Sequence, residues 1–183
     1  DAILYRPVVN RAVRLPGPCE MLTANLSVGR AERRVVNGKS WLVAPATMIV
    51  PGVLPGSRGP LYYSPDEIAR NYRAWDNTPI TVEHPYSTDG QAGSVYDGDV
   101  LDRQGVGVVK DSRINNVGKL QGKAWLDETK LQYVSPDTHA RILRGEPVEL
   151  STGLYNDSIE AQNGSQYNGR AYTHVVRNIK PDH

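Results

Sequence analysis

The apolar positions of this chain fall in short runs, and Gly and Pro punctuate almost all of them, which predicts strands and turns more than long helices. Asn37-Gly38 sits between Arg33–Val36 and Lys39–Ala44, and an Asn-Gly pair flanked by strand-like residues predicts a tight hairpin. The apolar stretch from Trp41 to Leu54 is interrupted by Pro45, Pro51 and Gly52, and Pro51 to Pro60 reads as a turn-rich loop. Ser64-Pro65-Asp66-Glu67 opens a helix, with Ser64 as cap, Pro65 at the first position and Glu67 completing a capping box. Ile68, Ala69, Tyr72 and Trp75 continue it at helical spacing as far as Asp76-Asn77. Ile80–His84 is a short strand closed by Pro85, and Tyr86–Gly98 is a polar surface loop.

Two strands follow, Gly105–Ile114 and Lys119–Leu126, around an Asn-Asn-Val-Gly turn. Ser135-Pro136-Asp137 repeats the helix-start signal for a helix running to Arg144 and ending at Gly145. Val148–Tyr155 is the next strand, Ser158–Gly169 a polar hairpin or loop, and Ala171–Ile179 a last strand before Pro181-Asp182-His183. Many strands with two short helices predict an α+β fold built on a mostly antiparallel, barrel-like sheet, because two helices are too few to cover a doubly wound parallel sheet. The length of 183 residues suits a single domain, with residues 1–62 as N-terminal strands and loop and residues 63–183 as the region of chemical interest.

Composition changes this picture in few places. The chain has no Phe, so its 10 Tyr and 3 Trp must share the interior with aliphatic side chains and find partners for their polar ends. A formal net charge of +1 gives no reason to propose a nucleic-acid partner. The densest basic run, Arg30–Arg34, is broken by Ala31 and Glu32 and reads as a solvated hairpin arm. No apolar run approaches the roughly 20 residues of a membrane-spanning helix, and no signal peptide is evident. Cys19 is the one cysteine, which rules out an intrachain disulfide and fits a reducing compartment. The first residue is Asp1 and not Met, so an N-terminal piece is expected to be missing.

The candidate chemistry lies in Ser151 and His84. Alternation along Val148–Tyr155 puts Val148, Leu150, Thr152 and Leu154 on the core face, so Ser151 projects the other way beside Glu149, Gly153 and Tyr155. A serine needs a base to become a nucleophile, and an imidazole with a pKa near 6.5 is the usual one. His139, in the second helix, is expected on a wet face, and His174 lies within the last strand. Each of these residues taken alone is more often an ordinary strand or surface residue than a catalytic one. A third group to orient the base could be His183, Asp182, Glu149 or Asp157. The sequence lacks Cys-x-x-Cys, His-Glu-x-x-His, a phosphate loop and Gly-x-Ser-x-Gly, so neither a metal nor a cofactor is expected.

Several segments occur in an order that resembles the prohead (capsid maturation) proteases of tailed phages. They are Asn77–His84, the Val-Gly-Val-Val and Lys-Leu-Gln-Gly strands within Gly105–Leu126, Arg144–Glu146, Glu-Leu-Ser-x-Gly within Val148–Tyr155, and Asn178–His183. The resemblance spans Tyr63 to His183 and is looser before it. That family is related to the herpesvirus maturational protease, whose fold is a barrel-like antiparallel sheet carrying a Ser-His site. The resemblance implies Ser151 as nucleophile, His84 as general base and His183 as third member. Thr152 or Gly153 would supply an oxyanion-hole N–H. It further implies a serine endopeptidase that cuts scaffold and major capsid proteins, and itself, inside the assembling prohead in the bacterial host cytoplasm. A homodimer is expected by analogy with the herpesvirus enzyme. Relatives usually continue past the residue matching His183, so a truncated or self-processed form is expected. Two rivals remain: a non-catalytic capsid-assembly domain of the same fold, and an unrelated hydrolase of small esters.

Overall fold

In the computed structural model, residues 20–26, 31–56 and 59–183 are described. Cys19 and Arg30 lie outside them, as does most of the expected N-terminal unit's first third. The first strands are β1 (Glu20–Leu26), β2 (Glu32–Val36), β3 (Lys39–Ile49), β4 (Gly52–Gly56) and β5 (Gly59–Tyr63). Next come helix α1 (Pro65–Arg70), a 3-10 turn (Tyr72–Trp75), β6 (Pro79–Thr81), α2 (Gly98–Gln104), β7 (Gly105–Ile114) and β8 (Leu120–Asp127). The chain ends with α3 (Glu128–Val134), α4 (Pro136–Leu143), β9 (Val148–Glu160), β10 (Gln166–Tyr167), β11 (Arg170–Ala171) and β12 (His174–Pro181).

The strands form two five-stranded sheets, ordered β1-β9-β12-β5-β4 and β2-β3-β8-β7-β6, with β10-β11 as a separate ribbon. All pairings are antiparallel except β12 with β5. The core fills the space between the sheets with Leu42, Met48, Ile49, Leu120 and Leu126 from one, and Leu61, Tyr63, Leu154, Val176 and Ile179 from the other. Trp75 and Ile68 close it from the α1 region. The buried Thr152 hydroxyl donates to the Met48 carbonyl at 2.9 Å and ties β9 to β3.

The α+β class holds, but the sheet is curled and does not close into a barrel. Its edges give the reason. Pro79 starts β6 and Pro55 lies in β4, and a proline offers no N–H to a further strand. The β2 edge is exposed throughout and carries Glu32, Arg33 and Arg34, the kind of charged edge that discourages pairing.

The Asn-Gly hairpin is present, with φ of 52° at Asn37 and 75° at Gly38 as such a turn requires. Ser64 caps α1 by accepting from the Glu67 N–H at 3.2 Å. Several expectations need correction. Pro51–Pro60 is a strand pair, β4 with β5, because glycines at its turns let the chain reverse. The first helix stops at Arg70, where Asn71 leaves helical geometry, and only a 3-10 turn reaches Trp75. The last long strand pair runs further than expected, with β9 extending to Glu160 against β12. Two unexpected helices, α2 and α3, start where Asp97 and Asp127 accept from the N–H groups of Asp99 and Lys130. Both have 7 residues, too short to show an amphipathic stripe. His139 is not on a wet face: its side chain is 12 % exposed and meets Glu128 at 3.4 Å.

Strand β12 carries an irregularity that matters below. Asn178 has φ of 52°, and the register against β9 shifts between Arg177 and Lys180. Beyond it, Lys180 opposes Tyr155 and Pro181 opposes Leu154. The pairing then continues past the strand's end, with Asp182 N–H donating to the Gly153 carbonyl at 2.9 Å and Gly153 N–H donating to the His183 carbonyl at 3.0 Å.

Candidate active site

Ser151 lies on β9, a strand held between β1 and β12. The expected alternation is present: PLACEHOLDER Ser151 opens onto a pocket at the seam of the two sheets. Thr152 and His183 line it from the same side, Met48 from β3, Ile80 and Thr81 from β6, Val109 from β7, and Trp75 from below. The walls are mainly apolar side chains, so charges at the serine are poorly screened.

His183 packs flat against β9 at Gly153. A Cβ at that position would stand 2.0 Å from His183 Cε1, 2.3 Å from Nδ1 and 2.6 Å from Nε2, so only glycine leaves room for the ring. His183 Nδ1 lies 2.8 Å from Asp182 Oδ2, and Asp182 is fully buried. The other carboxylate oxygen, Oδ1, accepts from the Ser94 hydroxyl. A buried carboxylate beside Nδ1 holds the proton there and leaves Nε2 as the free acceptor. That Nε2 is buried and has no hydrogen-bond partner among the described residues. A buried polar atom in this state costs about 1–3 kcal/mol and calls for an explanation.

His84 supplies one. Its ring stands edge-on to that of His183, with centroids 5.8 Å apart and an interplanar angle of 75°. Loss of water around the ring, and then the like-charged neighbour His183, hold the His84 pKa below the ordinary histidine value, so the neutral base prevails at pH 7. The expected strand Ile80–His84 ends early, at Thr81, because its partner β7 runs out at Gly105 and the register slips between Ile80 and Thr81. Beyond that point His84 is held by a side chain. Gln104, buried at the end of α2, donates from Nε2 to the His84 carbonyl at 3.3 Å and accepts at Oε1 from the Tyr86 N–H at 3.0 Å.

Of the residues expected at the site, Ser151 and His183 share one pocket and His84 adjoins His183. Asp182 backs His183. Asp157 is engaged elsewhere, accepting from Asn178 Nδ2 at 2.8 Å, and Glu149 stands exposed near the start of β9. The Thr152 side chain faces the core, and the Gly153 N–H is occupied by the His183 carbonyl. Ser94 and Gln104 were missed. Nothing local in the sequence marks them, since each is recruited by a residue far along the chain. Among the described residues, no group of three or more His, Cys, Asp or Glu could hold a metal, and no helix is long and apolar enough to cross a membrane.

No protein-family profile matches this chain, and no curated protein does. Among solved structures, the chain is similar to the bacteriophage T4 capsid assembly protease gp21, with a TM-score of 0.49 and 12 % identity over 91 % of this chain and 94 % of that one.

Proposed function

We propose that the protein is a serine endopeptidase of phage capsid maturation, with Ser151 as nucleophile, His84 as general base and His183 as the residue that orients it. The observation that carries this reading is the buried, unpartnered Nε2 of His183 beside the His84 ring, in a site where the Asp182 carboxylate has already fixed the other nitrogen of His183. A ring so prepared is an acceptor for the N–H of a second imidazole.

In the proposed reaction, His84 takes the Ser151 hydroxyl proton as Oγ attacks a peptide carbonyl. The imidazolium that forms shares its second N–H with His183 Nε2, and the positive charge is stabilised through His183 by the Asp182 carboxylate. His84 then returns the proton to the leaving amine, and water repeats the sequence on the acyl-enzyme. The Thr152 backbone N–H is the oxyanion donor in this scheme. Gly153 could join it only after releasing the His183 carbonyl.

The capsid setting rests on the ordered motifs Asn77–His84, Arg144–Glu146, Val148–Tyr155 and Asn178–His183. It makes scaffold and major capsid proteins the substrates, with the protease itself among them, and the interior of the prohead the place of action. A homodimer belongs to the same reading. The test is incubation of wild type, Ser151→Ala and His84→Ala with the neighbouring capsid and scaffold proteins, read by intact mass. Cleavage by wild type, with a loss on the order of 10⁶ in turnover for Ser151→Ala, is expected. Identical fragments from wild type and a folded Ser151→Ala would overturn the assignment.

A further inference from the structure

The site's least secure element is the segment that bears the base. Ser151 sits on a strand flanked on both sides, and His183 is clamped by backbone bonds to Gly153. His84 has neither advantage. It lies three residues beyond the last paired residue of β6, on chain that belongs to neither sheet, and it is followed by Pro85, which has no N–H to offer. A side chain in that position would be displaced by an ångström or more as the loop moves, and such a displacement can cost about 100-fold in rate.

Gln104 occupies the place where the missing strand partner would be. The β6–β7 ladder ends at Thr81 opposite Gly105, and Gln104 is the residue just before Gly105. Its amide engages the carbonyl of His84 and the N–H of Tyr86, the two backbone groups on either side of Pro85. The partners also fix which way the amide points, since a carbonyl can only accept and an N–H can only donate. One buried side chain therefore extends the ladder across a stretch in which the backbone cannot. Further contacts reinforce the same loop. Gly93 N–H donates to the Pro85 carbonyl at 2.8 Å, and Arg103, one residue before Gln104, donates to the Tyr86 carbonyl at 2.9 Å.

We infer that Gln104 is a positioning residue for the reaction proposed above, holding the His84 backbone so that its imidazole reaches both Ser151 and His183. It touches neither substrate nor the reacting atoms. The inference rests on the proposed role of His84, but its central claim, that Gln104 sets the His84 environment, can be measured without catalysis.

The experiment compares wild type, Gln104→Met and Gln104→Glu. Gln104→Met keeps the volume and loses both hydrogen bonds. Gln104→Glu keeps the acceptor for Tyr86 and turns a second acceptor toward the His84 carbonyl. Two readouts are taken on each protein: the NMR titration of His84, with His139 and His174 as internal controls of the fold, and the rate at which a fluorophosphonate probe labels Ser151. In both variants the His84 titration is expected to move up toward the ordinary histidine range while His139 and His174 stay put. Labelling is expected to slow by roughly 10- to 100-fold. If Gln104→Met does not fold, Gln104→Glu carries the comparison alone. An unchanged His84 titration in either folded variant overturns the inference. If the probe fails to label wild type at Ser151, the protease reading falls, while a shifted His84 titration still upholds the role of Gln104 in placing that ring.

Discussion

Gly153→Ala is the sharpest perturbation the site offers. A methyl there would meet three atoms of the His183 ring at 2.0, 2.3 and 2.6 Å. Ordinary contact between such atoms needs about 3.5 Å, so the ring must retreat by about 1–1.5 Å. It cannot do so and keep both its 2.8 Å contact with Asp182 Oδ2 and its edge-on contact with His84. Forcing a group into a packed region costs typically 1–3 kcal/mol. For a chain of this length that corresponds to a fall in Tm of about 2–10 °C. Displacement of the orienting residue by about 1 Å predicts a loss in Ser151 labelling rate of about 100-fold. The informative comparison is a double-mutant cycle with His183→Ala. If the methyl acts only by evicting the ring, Gly153→Ala should cost almost nothing further once His183 is gone, leaving a coupling as large as the single effect. Thermal melts and fluorophosphonate labelling of the four proteins give both halves of the cycle. Strict additivity of the two substitutions, or a Gly153→Ala protein that melts and reacts like wild type, would refute the argument.

The labelling rate should keep rising with pH through a midpoint below the ordinary histidine value near 6.5, because water loss and the neighbouring His183 both disfavour charging of His84. His183→Ala removes the second of these causes and should move that midpoint part of the way back up; a wild-type midpoint above 6.5 contradicts the reading. The depressed His84 pKa also adds to stability above the unfolded value, and that share is lost as pH falls below it. Glu128 is held at about 2, first by its hydrogen bond from Arg33 and then by that from Ser40, with His139 adding a third. Its contribution is therefore complete above about 4.5 and lost as pH falls toward 2. Discounted for the exposed Arg33, it is about 1–2 kcal/mol. Glu128→Gln should flatten that part of a stability-against-pH curve from chemical denaturation, and an unaltered curve would show that the cluster is energetically idle.

How much of this was legible in the sequence depended on range. The Asn37-Gly38 hairpin, the Ser64 cap and the β7–β8 pair are fixed by residues within a few positions of each other, and each was readable. Ser151 and His84 could be picked out by residue type and by the order of neighbouring motifs. What their surroundings would be could not. The Asp182 carboxylate is partnered by Ser94, 88 positions earlier. Strand alternation predicted the side from which Ser151 projects, but not that a histidine would lie over Gly153 two residues later. Closure of the sheet was misjudged because Pro55 and Pro79 act as edge terminators only once their strands are known to be at edges. The helices α2 and α3 were missed because seven residues hold too few periods for a pattern to emerge.

The bulge at Asn178 sets the phase of everything after it. Side chains on a strand alternate faces, so removing the one irregular residue would turn Asp182 and His183 each to the opposite side. The carboxylate would leave its buried place beside Ser94, and the imidazole would leave the surface of Gly153. A one-residue deletion between Arg177 and Lys180 should thus abolish the site while leaving both sheets their hydrogen bonds, and a compensating insertion before Asp182 should restore it. The reading frame of that short stretch is as much a part of the catalytic apparatus as the residues that would perform the chemistry.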